Sequence, residues 1–115
     1  MSKPIVHFEI GCRDVGTLGP FYSKLFGWDM AHHGPAALIT SNTGITGHMT
    51  SLGHEPYNYL TVYVEVDDLD AYLAKVQELG GTTVVPPTKI PGSWFAWFRD
   101  PEGTLIGLLK RDAKA

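Results

Sequence analysis

Two ionisable side chains with complementary chemistry stand close together near the N-terminus. His7 and Glu9 are two residues apart in the stretch 6–11, which alternates polar and apolar residues as a β-strand does. Side chains at this spacing share one face of a strand and lie about 6.5–7 Å apart along it. A histidine and a carboxylate so placed can position a ligand or take a proton from it. The alternative is a pair of hydrogen-bonded sheet residues without chemistry, and the sequence leaves both open.

Other candidate ligand-binding side chains lie further along the chain. His48 follows Gly47 on a short apolar strand, where it either lines the mouth of a pocket or faces solvent. Trp94 and Trp97 belong to an aromatic run, so we expect one aromatic pair under a helix and the other facing a hydrophobic or planar ligand. Ordinary core packing of the whole run is the alternative.

Several further patterns are better explained by structure than by chemistry. The acidic run at residues 65–70 precedes a predicted helix, where carboxylates cap the N-terminus and complement the helix dipole. Cys12 has no base near it in the sequence, which argues against a catalytic thiol. The glycines lack the spacing of a phosphate-binding loop.

Composition narrows the class of protein. The chain has 115 residues, a net charge of −3 and no basic run, so we expect one domain that binds neither nucleic acid nor an anionic membrane. A single cysteine cannot form an internal disulfide, which fits a reducing cytoplasm. The N-terminal stretch has no long apolar segment, so we expect no signal peptide.

The elements that must position these side chains are organised around a predicted hairpin at residues 94–110. Two apolar runs flank the turn at residues 100–103, DPEG, where Asp, Pro and Gly each favour a tight turn. The rest of the chain reads as strand, helix and three strands, twice over. The predicted strands span residues 6–11, 28–32, 36–40, 45–51, 59–66, 82–85, 94–98 and 104–109. The helices follow Asp14, with a regular start near Thr17, and Asp68, and residues 86–92 are expected to form a loop.

The two halves form an internal repeat. A shift of 54 residues places His7 on Thr61, and a shift of 60 places Gly47 on Gly107. Thr61 and Tyr63 would then occupy, in the second half, the polar face that His7 and Glu9 occupy in the first. A repeat of this kind indicates that neither half closes its own hydrophobic face.

The doubled pattern, together with the phrases FYSKLFGW at the first helix and FRDPEGTLIGL at the last hairpin, resembles the vicinal oxygen chelate superfamily. That superfamily includes glyoxalase I, bleomycin-resistance proteins and extradiol dioxygenases. The resemblance implies an α+β fold in which two βαβββ modules form a curled, cup-shaped mixed sheet. It also implies a single domain over 1–115, with module one at about 1–54 and module two at about 55–115.

The same resemblance marks positions for a metal. His7 matches a metal-ligand position, whereas Thr61 falls where many members have a second histidine. Gly107 falls where metal-binding members have Glu, with Gly47 as its match in the first module. Metal sites need about three protein ligands, so we expect no cofactor, with His7 as a ligand if a divalent metal binds.

Two functions remain open at this stage. The first is a protein that binds a small hydrophobic or aromatic molecule in its cup, as bleomycin-resistance proteins do. The second is a lyase, isomerase or dioxygenase type of enzyme that uses His7 and Glu9 for acid–base chemistry or as remnants of a metal site. We expect a cytoplasmic homodimer with open space on the cup floor at the two glycines. The expected ligand-binding residues are Thr61, Tyr63, Trp94, Trp97, Gly47, Gly107 and His48.

Overall fold

The computed structural model describes residues 2–40, 44–53 and 56–112. The chain divides into two compact units. The first unit spans Val6–Thr61, and the second spans residues 62–112 together with residues 2–5. Each unit contains one helix laid on a four-stranded sheet.

The first unit is built from one strand, a helix and three further strands. The elements are β1 Ile5–Gly11, α1 Val15–Phe26, β2 Asp29–His33, β3 Ala36–Thr40 and β4 Thr46–Thr50. The strand order is β2-β3-β4-β1, with β1 and β4 parallel and the other pairs antiparallel. Because β1 and β4 run side by side, residues about 40 positions apart in the chain become neighbours on the sheet.

Helix α1 follows from its local sequence. The Asp14 carboxylate caps it by accepting hydrogen bonds from the Gly16 N–H and the Thr17 hydroxyl. The helix ends at Gly27, whose φ of 73° favours glycine. The predicted cap is confirmed, although the helix begins at Val15 rather than near Thr17. Its apolar side covers a core with the following buried members: Cys12, Val15, Ala37, Ile39 and Met49.

The second unit repeats this plan. Its elements are β5 Tyr59–Glu65, α2 Leu69–Glu78, β6 Thr82–Ile90, β7 Ser93–Arg99 and β8 Leu105–Arg111. The strand order is β5-β8-β7-β6, and β5 and β8 are parallel. Asp68 caps α2, as predicted. The core under this helix consists of the following buried residues: Val66, Leu69, Leu73, Ala96 and Leu108.

The predicted hairpin is confirmed in detail. Strands β7 and β8 pair antiparallel, and one oxygen of Asp100 accepts hydrogen bonds from the backbone N–H groups of Glu102 and Thr104. The backbone bonds at this turn lower the pKa of Asp100. Gly103 has a φ of 92°, which explains why glycine occupies the last turn position.

The predicted loop at residues 86–92 is wrong for residues 86–90, because β6 continues through Pro86 and Pro87 as far as Ile90, and only residues 91 and 92 form a turn. Proline lacks the N–H that an interior strand needs, but β6 pairs only with β7 and its other side is an edge. The pairing register shifts between Thr83 and Val85 and again across the prolines, between Val85 and Thr88, which accommodates them. The α+β class and the two βαβββ modules are otherwise confirmed. None of the helices in the described residues is long and apolar enough to cross a membrane.

Candidate functional site

A row of polar side chains lies on one face of the parallel pair β1–β4. The pairing register sets Glu9 opposite His48, and alternation along β1 puts His7 on the same face as Glu9. On the opposite face, Phe8 and Ile10 pack against the core under α1. The sequence therefore assigns the two faces of β1 correctly.

These side chains form one continuous hydrogen-bonded series. Nε2 of His7 lies 2.8 Å from Nδ1 of His48, and Nε2 of His48 lies 3.0 Å from Oε1 of Glu9. At the outer end, Nδ1 of His7 lies 2.8 Å from the hydroxyl of Thr46. At the inner end, the Tyr59 hydroxyl donates to Oε2 of Glu9. We call these five residues the histidine–glutamate chain.

The buried carboxylate gives this chain a direction. An ionised Glu9 only accepts hydrogen bonds, so with neutral imidazoles Nε2 of His48 carries a proton and Nδ1 of His48 is an acceptor. That nitrogen then accepts from the Nε2–H of His7, and Nδ1 of His7 accepts from the Thr46 hydroxyl. Each imidazole can therefore take a proton on its outer nitrogen and pass one on from its inner nitrogen.

Burial increases along the chain from Thr46 to Glu9, and Tyr59 beyond Glu9 is partly buried. Thr46 is exposed, the His48 side chain is 29% exposed, and Glu9 is 3% exposed. At the inner end, burial and the neighbouring Glu9 carboxylate raise the pKa of Tyr59. Tyr59 thus remains a hydrogen-bond donor to Glu9 at any pH near neutrality. A buried carboxyl group with both oxygens hydrogen-bonded is thus connected through two imidazoles to the protein surface.

Two glycines allow Tyr59 to reach Glu9. The Tyr59 ring lies against Gly11 at the end of β1 and against Gly53, and a Cβ at either position would overlap the ring. The adjacent Tyr57 is held from the side by Arg13, whose guanidinium donates to its hydroxyl at 2.6 Å and lies 4.7 Å from the ring centre. The backbone around Tyr59 is thereby fixed by specific contacts within the first unit.

The corresponding face of the second unit is filled by aromatic rings. Tyr63 stands opposite Gly107 in the β5–β8 pair, and its hydroxyl accepts a 2.8 Å hydrogen bond from the indole N–H of Trp97. Phe95 meets the Tyr63 ring edge-on at 6.4 Å. A Cβ at Gly107 would lie 2.6 Å from the Tyr63 ring. The predicted open space at Gly107 is therefore wrong, because Tyr63 occupies it.

The predicted equivalence of Gly47 and Gly107 is also wrong. With Glu9 matched to Tyr63, their strand partners show that His48, not Gly47, corresponds to Gly107. Gly47 lies on the face that packs under α1, where the Phe8 ring covers it and leaves no open space. The shift between the last strands of the two modules is therefore 59 residues rather than 60.

The remaining predicted site residues lie outside the histidine–glutamate chain. Thr61 is 3% exposed in β5. Trp94 is 38% exposed and shares its face of β7 with Phe98, which packs under α2, so it lies on the opposite face from Trp97. Thr46 was not predicted, although its position two residues before His48 on the same strand was a usable signal.

The polar row does not have the geometry of a metal site. Nε2 of His7 and Nδ1 of His48 face each other, and the remaining nitrogen of His48 faces Glu9. Their lone pairs and protons are directed within the row rather than toward one shared point. Across residues 2–40, 44–53 and 56–112, no group of three His, Cys, Asp or Glu side chains is arranged to hold a metal. The residues present do not fit the expected metal site of the superfamily.

Comparison with known proteins gives one matching family model and several relatives. The model of the glyoxalase-like domain matches residues 6–109. The chain is similar to the anthracycline biosynthesis protein DnrV of Streptomyces peucetius, with 26% identity over 132 aligned positions that cover 90% of this chain and 46% of DnrV. It thus spans about half the length of the curated relatives that it matches.

Two solved structures illustrate the similarity of fold. A glyoxalase/bleomycin resistance protein/dioxygenase superfamily member from Vibrio splendidus 12B01 has a TM-score of 0.67 and 15% identity, covering 96% of this chain and 100% of that one. Methylmalonyl-CoA epimerase from Mycobacterium tuberculosis has a TM-score of 0.70 and 17% identity, covering 95% and 88%. At these identities the likeness establishes the fold alone.

Proposed function

This chain belongs to the glyoxalase-like domain family, and we propose that it binds a small organic molecule and exchanges a proton with it through the histidine–glutamate chain. The resemblance to the vicinal oxygen chelate superfamily is confirmed by the family match and the shared fold. The observation that carries the proposal is the unbroken series of hydrogen bonds from the exposed Thr46 to the buried Glu9.

The proposed reaction begins at the outer imidazole. The Thr46 hydroxyl first rotates away from Nδ1 of His7. Nδ1 then takes a proton from an acidic O–H or C–H group of the ligand. The Nε2 proton of His7 moves to Nδ1 of His48, and the imidazolium that forms donates its Nε2–H to Glu9. Oε1 of Glu9 lies 3.0 Å from that Nε2 and accepts the hydrogen bond. Return of the proton to another position of the ligand completes an isomerisation.

Glu9 has a positioning role in this scheme, which revises its predicted role as a direct base. The carboxylate is 3% exposed, and both of its oxygens already have protein partners, His48 and Tyr59. A ligand therefore meets His7 first and reaches Glu9 only through the imidazoles. The proposed steps need no metal ion.

We further propose that the ligand is aromatic or hydrophobic. One support is the relative DnrV, whose name places it in anthracycline biosynthesis, and anthracyclines are fused-ring aromatic compounds that carry phenol and ketone groups. A C–H group next to a ketone carries the acidic proton that the imidazole takes. A cytoplasmic location and a homodimer remain predictions.

Binding without reaction is the second candidate. It is favoured by the hydrogen bond between Nε2 of His7 and Nδ1 of His48, which gives a rigid polar platform even without proton transfer. The two candidates differ in whether the imidazoles change protonation state when the ligand is present.

The test uses deuterium exchange. The protein is incubated in D₂O with a panel of phenol-bearing aryl alkyl ketones, and loss of the proton beside the carbonyl is followed by NMR. His48→Gln should slow exchange about 100-fold, a typical contribution of a general base. The matched control is His33→Gln, a histidine exposed on β2, which should exchange as the wild type does.

The outcomes separate the two candidates. Proton transfer is supported if His48→Gln loses deuterium exchange but still binds the ligand, as measured by tryptophan fluorescence. Binding without exchange in the wild type supports the second candidate. Equal exchange by wild type and His48→Gln, with both proteins folded, would overturn the proposed route.

A further inference from the structure

The second unit contains a cavity on the helix side of its sheet, away from the Tyr63–Trp97 face. It lies between the C-terminal half of α2 and the turn that follows β7, and its volume is about 350 Å³. Small-molecule sites typically measure about 300–1,000 Å³. Its walls are mostly apolar and are formed by Tyr72, Val76, Leu79, Phe98 and Pro101.

The first unit fills the corresponding place with aromatic rings. Helix α1 ends at the left-handed Gly27, and the next residue is Trp28. The Trp28 ring stacks on Tyr22 at 5.6 Å with an interplanar angle of 11°, and it also contacts Phe8 and Phe26. The first unit therefore closes the end of its helix with a layer of stacked rings.

The second unit lacks this aromatic layer. The left-handed glycine lies 13 residues after the cap in the first unit (Asp14 to Gly27) and 12 residues after it in the second (Asp68 to Gly80), so the shift falls from 54 to 53 at the helix end. Matched through these glycines, Gly81 stands where the first unit has Trp28. On the helix, a shift of 54 residues puts Val76 at the position of Tyr22. The cavity thus occupies the place that aromatic side chains occupy in the first unit, which indicates that a ring system suits its shape and chemistry.

The cavity rim carries one charge of each sign, Lys75 and Asp100. Lys75 lines the cavity and forms no ion pair with any residue that the structure describes. Asp100 also lines it, but an oxygen of its carboxylate accepts two backbone hydrogen bonds within the turn. The ammonium of Lys75 is therefore the group left to bind a ligand charge.

We propose that this cavity binds an aromatic carboxylate of one or two rings, with the rings against Val76 and Phe98 and the carboxylate at Lys75. The site is independent of the histidine–glutamate chain, which lies in the first unit. Aromatic rings on the apolar walls supply most of the affinity, because burial of apolar area contributes more than an exposed ion pair does.

The experiment titrates the intact protein with 2-naphthoate and, as a neutral match, with 2-naphthylmethanol, followed by amide shifts in ¹H–¹⁵N NMR spectra. Both should shift amides of α2 and β7. Lys75→Gln should weaken naphthoate about fivefold and leave the alcohol unchanged, as expected for an exposed charge pair. Lys24→Gln, which changes a lysine near the end of α1, is the control and should have no effect.

Two further variants locate the site. Val76→Tyr supplies the ring found at the corresponding position of α1 and should abolish binding of both compounds. Leu79→Glu places a carboxylate at the wall, and because Leu79 is 67% exposed the fold tolerates the change. Leu79→Glu should weaken binding of naphthoate far more than binding of the alcohol. Glu9→Gln should not alter the binding of either compound.

The site assignment fails if neither compound shifts amides of α2 and β7 at about 1 mM, a concentration that detects weak sites. It also fails if Leu79→Glu and Lys75→Gln bind naphthoate as the wild type does. Loss of binding in Glu9→Gln but not in these variants would place the compound on the first unit instead, and would leave the proposed function standing.

Discussion

The strand pairs β1–β4 and β5–β8 have the same topology and opposite chemistry. In the first pair, Glu9 stands opposite His48 and both take part in a polar chain. In the second pair, Tyr63 stands opposite Gly107, and the aromatic ring covers the glycine. The shared strand topology thus sets the face on which a side chain lies. The identity of the two residues paired at one register position then decides whether that face holds polar, reactive groups or packed rings.

The difference has an energetic consequence. Burying a carboxylate is unfavourable unless its oxygens are hydrogen-bonded, so the face around Glu9 tolerates few substitutions that remove a partner. The face around Tyr63 gains stability from ring packing and from one hydrogen bond to Trp97. We therefore expect the first unit to be sensitive to changes of charge and the second to changes of volume.

The largest expected effect is a change of volume at Gly107. Gly107→Leu should lower the free energy of unfolding by about 3 kcal/mol, the upper end of the usual cost of overpacking, because even a Cβ there would lie 2.6 Å from the Tyr63 ring. The measurement is urea denaturation followed by tryptophan fluorescence.

A double variant tests the cause of that loss. Tyr63→Ala removes the ring, so Gly107→Leu should cost much less in the Tyr63→Ala background than in the wild type. If Gly107→Leu is tolerated in the wild-type background, the space beside Gly107 is open, and the contrast between the two faces disappears.

The second effect is a change of charge, compared across the two units. Glu9→Gln should cost about 2 kcal/mol, because a neutral amide replaces a carboxylate that accepts two hydrogen bonds, and its NH₂ can pair with Tyr59 only if the hydroxyl gives up its role as donor. Glu65→Gln removes the partner of Arg111, at 3.3 Å on a partly exposed site, and should cost less than about 1 kcal/mol. Equal losses in the two variants would contradict the distinction.

Local features of this fold could be read from the sequence. The caps at Asp14 and Asp68 and the hairpin turn at Asp100 depend on residues within four positions of one another, and all were predicted correctly. The continuation of β6 through Pro86 was missed, because proline normally ends a strand and only the edge position of β6 allows it.

Long-range features were harder to predict, and the histidine–glutamate chain shows why. Its central contact joins Glu9 to His48 across a parallel pair whose register no local pattern fixes. A one-residue error in the repeat alignment exchanged His48 for Gly47 and so moved the position to the other face. The sequence placed His7 and Glu9 on the correct face of β1. Their link through His48 could be seen only once the register of β1 and β4 was known.

The smallest effect is specific to Tyr59 and depends on pH. Burial and Glu9 raise the pKa of Tyr59 above its ordinary value of 10.0, so the folded protein keeps this proton where the unfolded chain has lost it. The stabilising contribution is therefore complete below about pH 10 and declines as pH rises toward the folded-state pKa. The decline is about 1.4 kcal/mol per pH unit for one group.

Tyr59→Phe lacks this titration, so its stability relative to the wild type should improve by about 1 kcal/mol between pH 9 and pH 11, as measured by urea denaturation at each pH. Burial also raises the pKa of Cys12, but that thiol is present in both proteins, so its own titration largely cancels in the difference. Below pH 9 the difference should be constant and should favour the wild type, because Tyr59 donates to a buried carboxylate. If the free energies of unfolding of the wild type and Tyr59→Phe change in parallel up to pH 11, Tyr59 is solvated. Glu9 would then lack the hydrogen bond from a buried Tyr59 that distinguishes the first unit from the second.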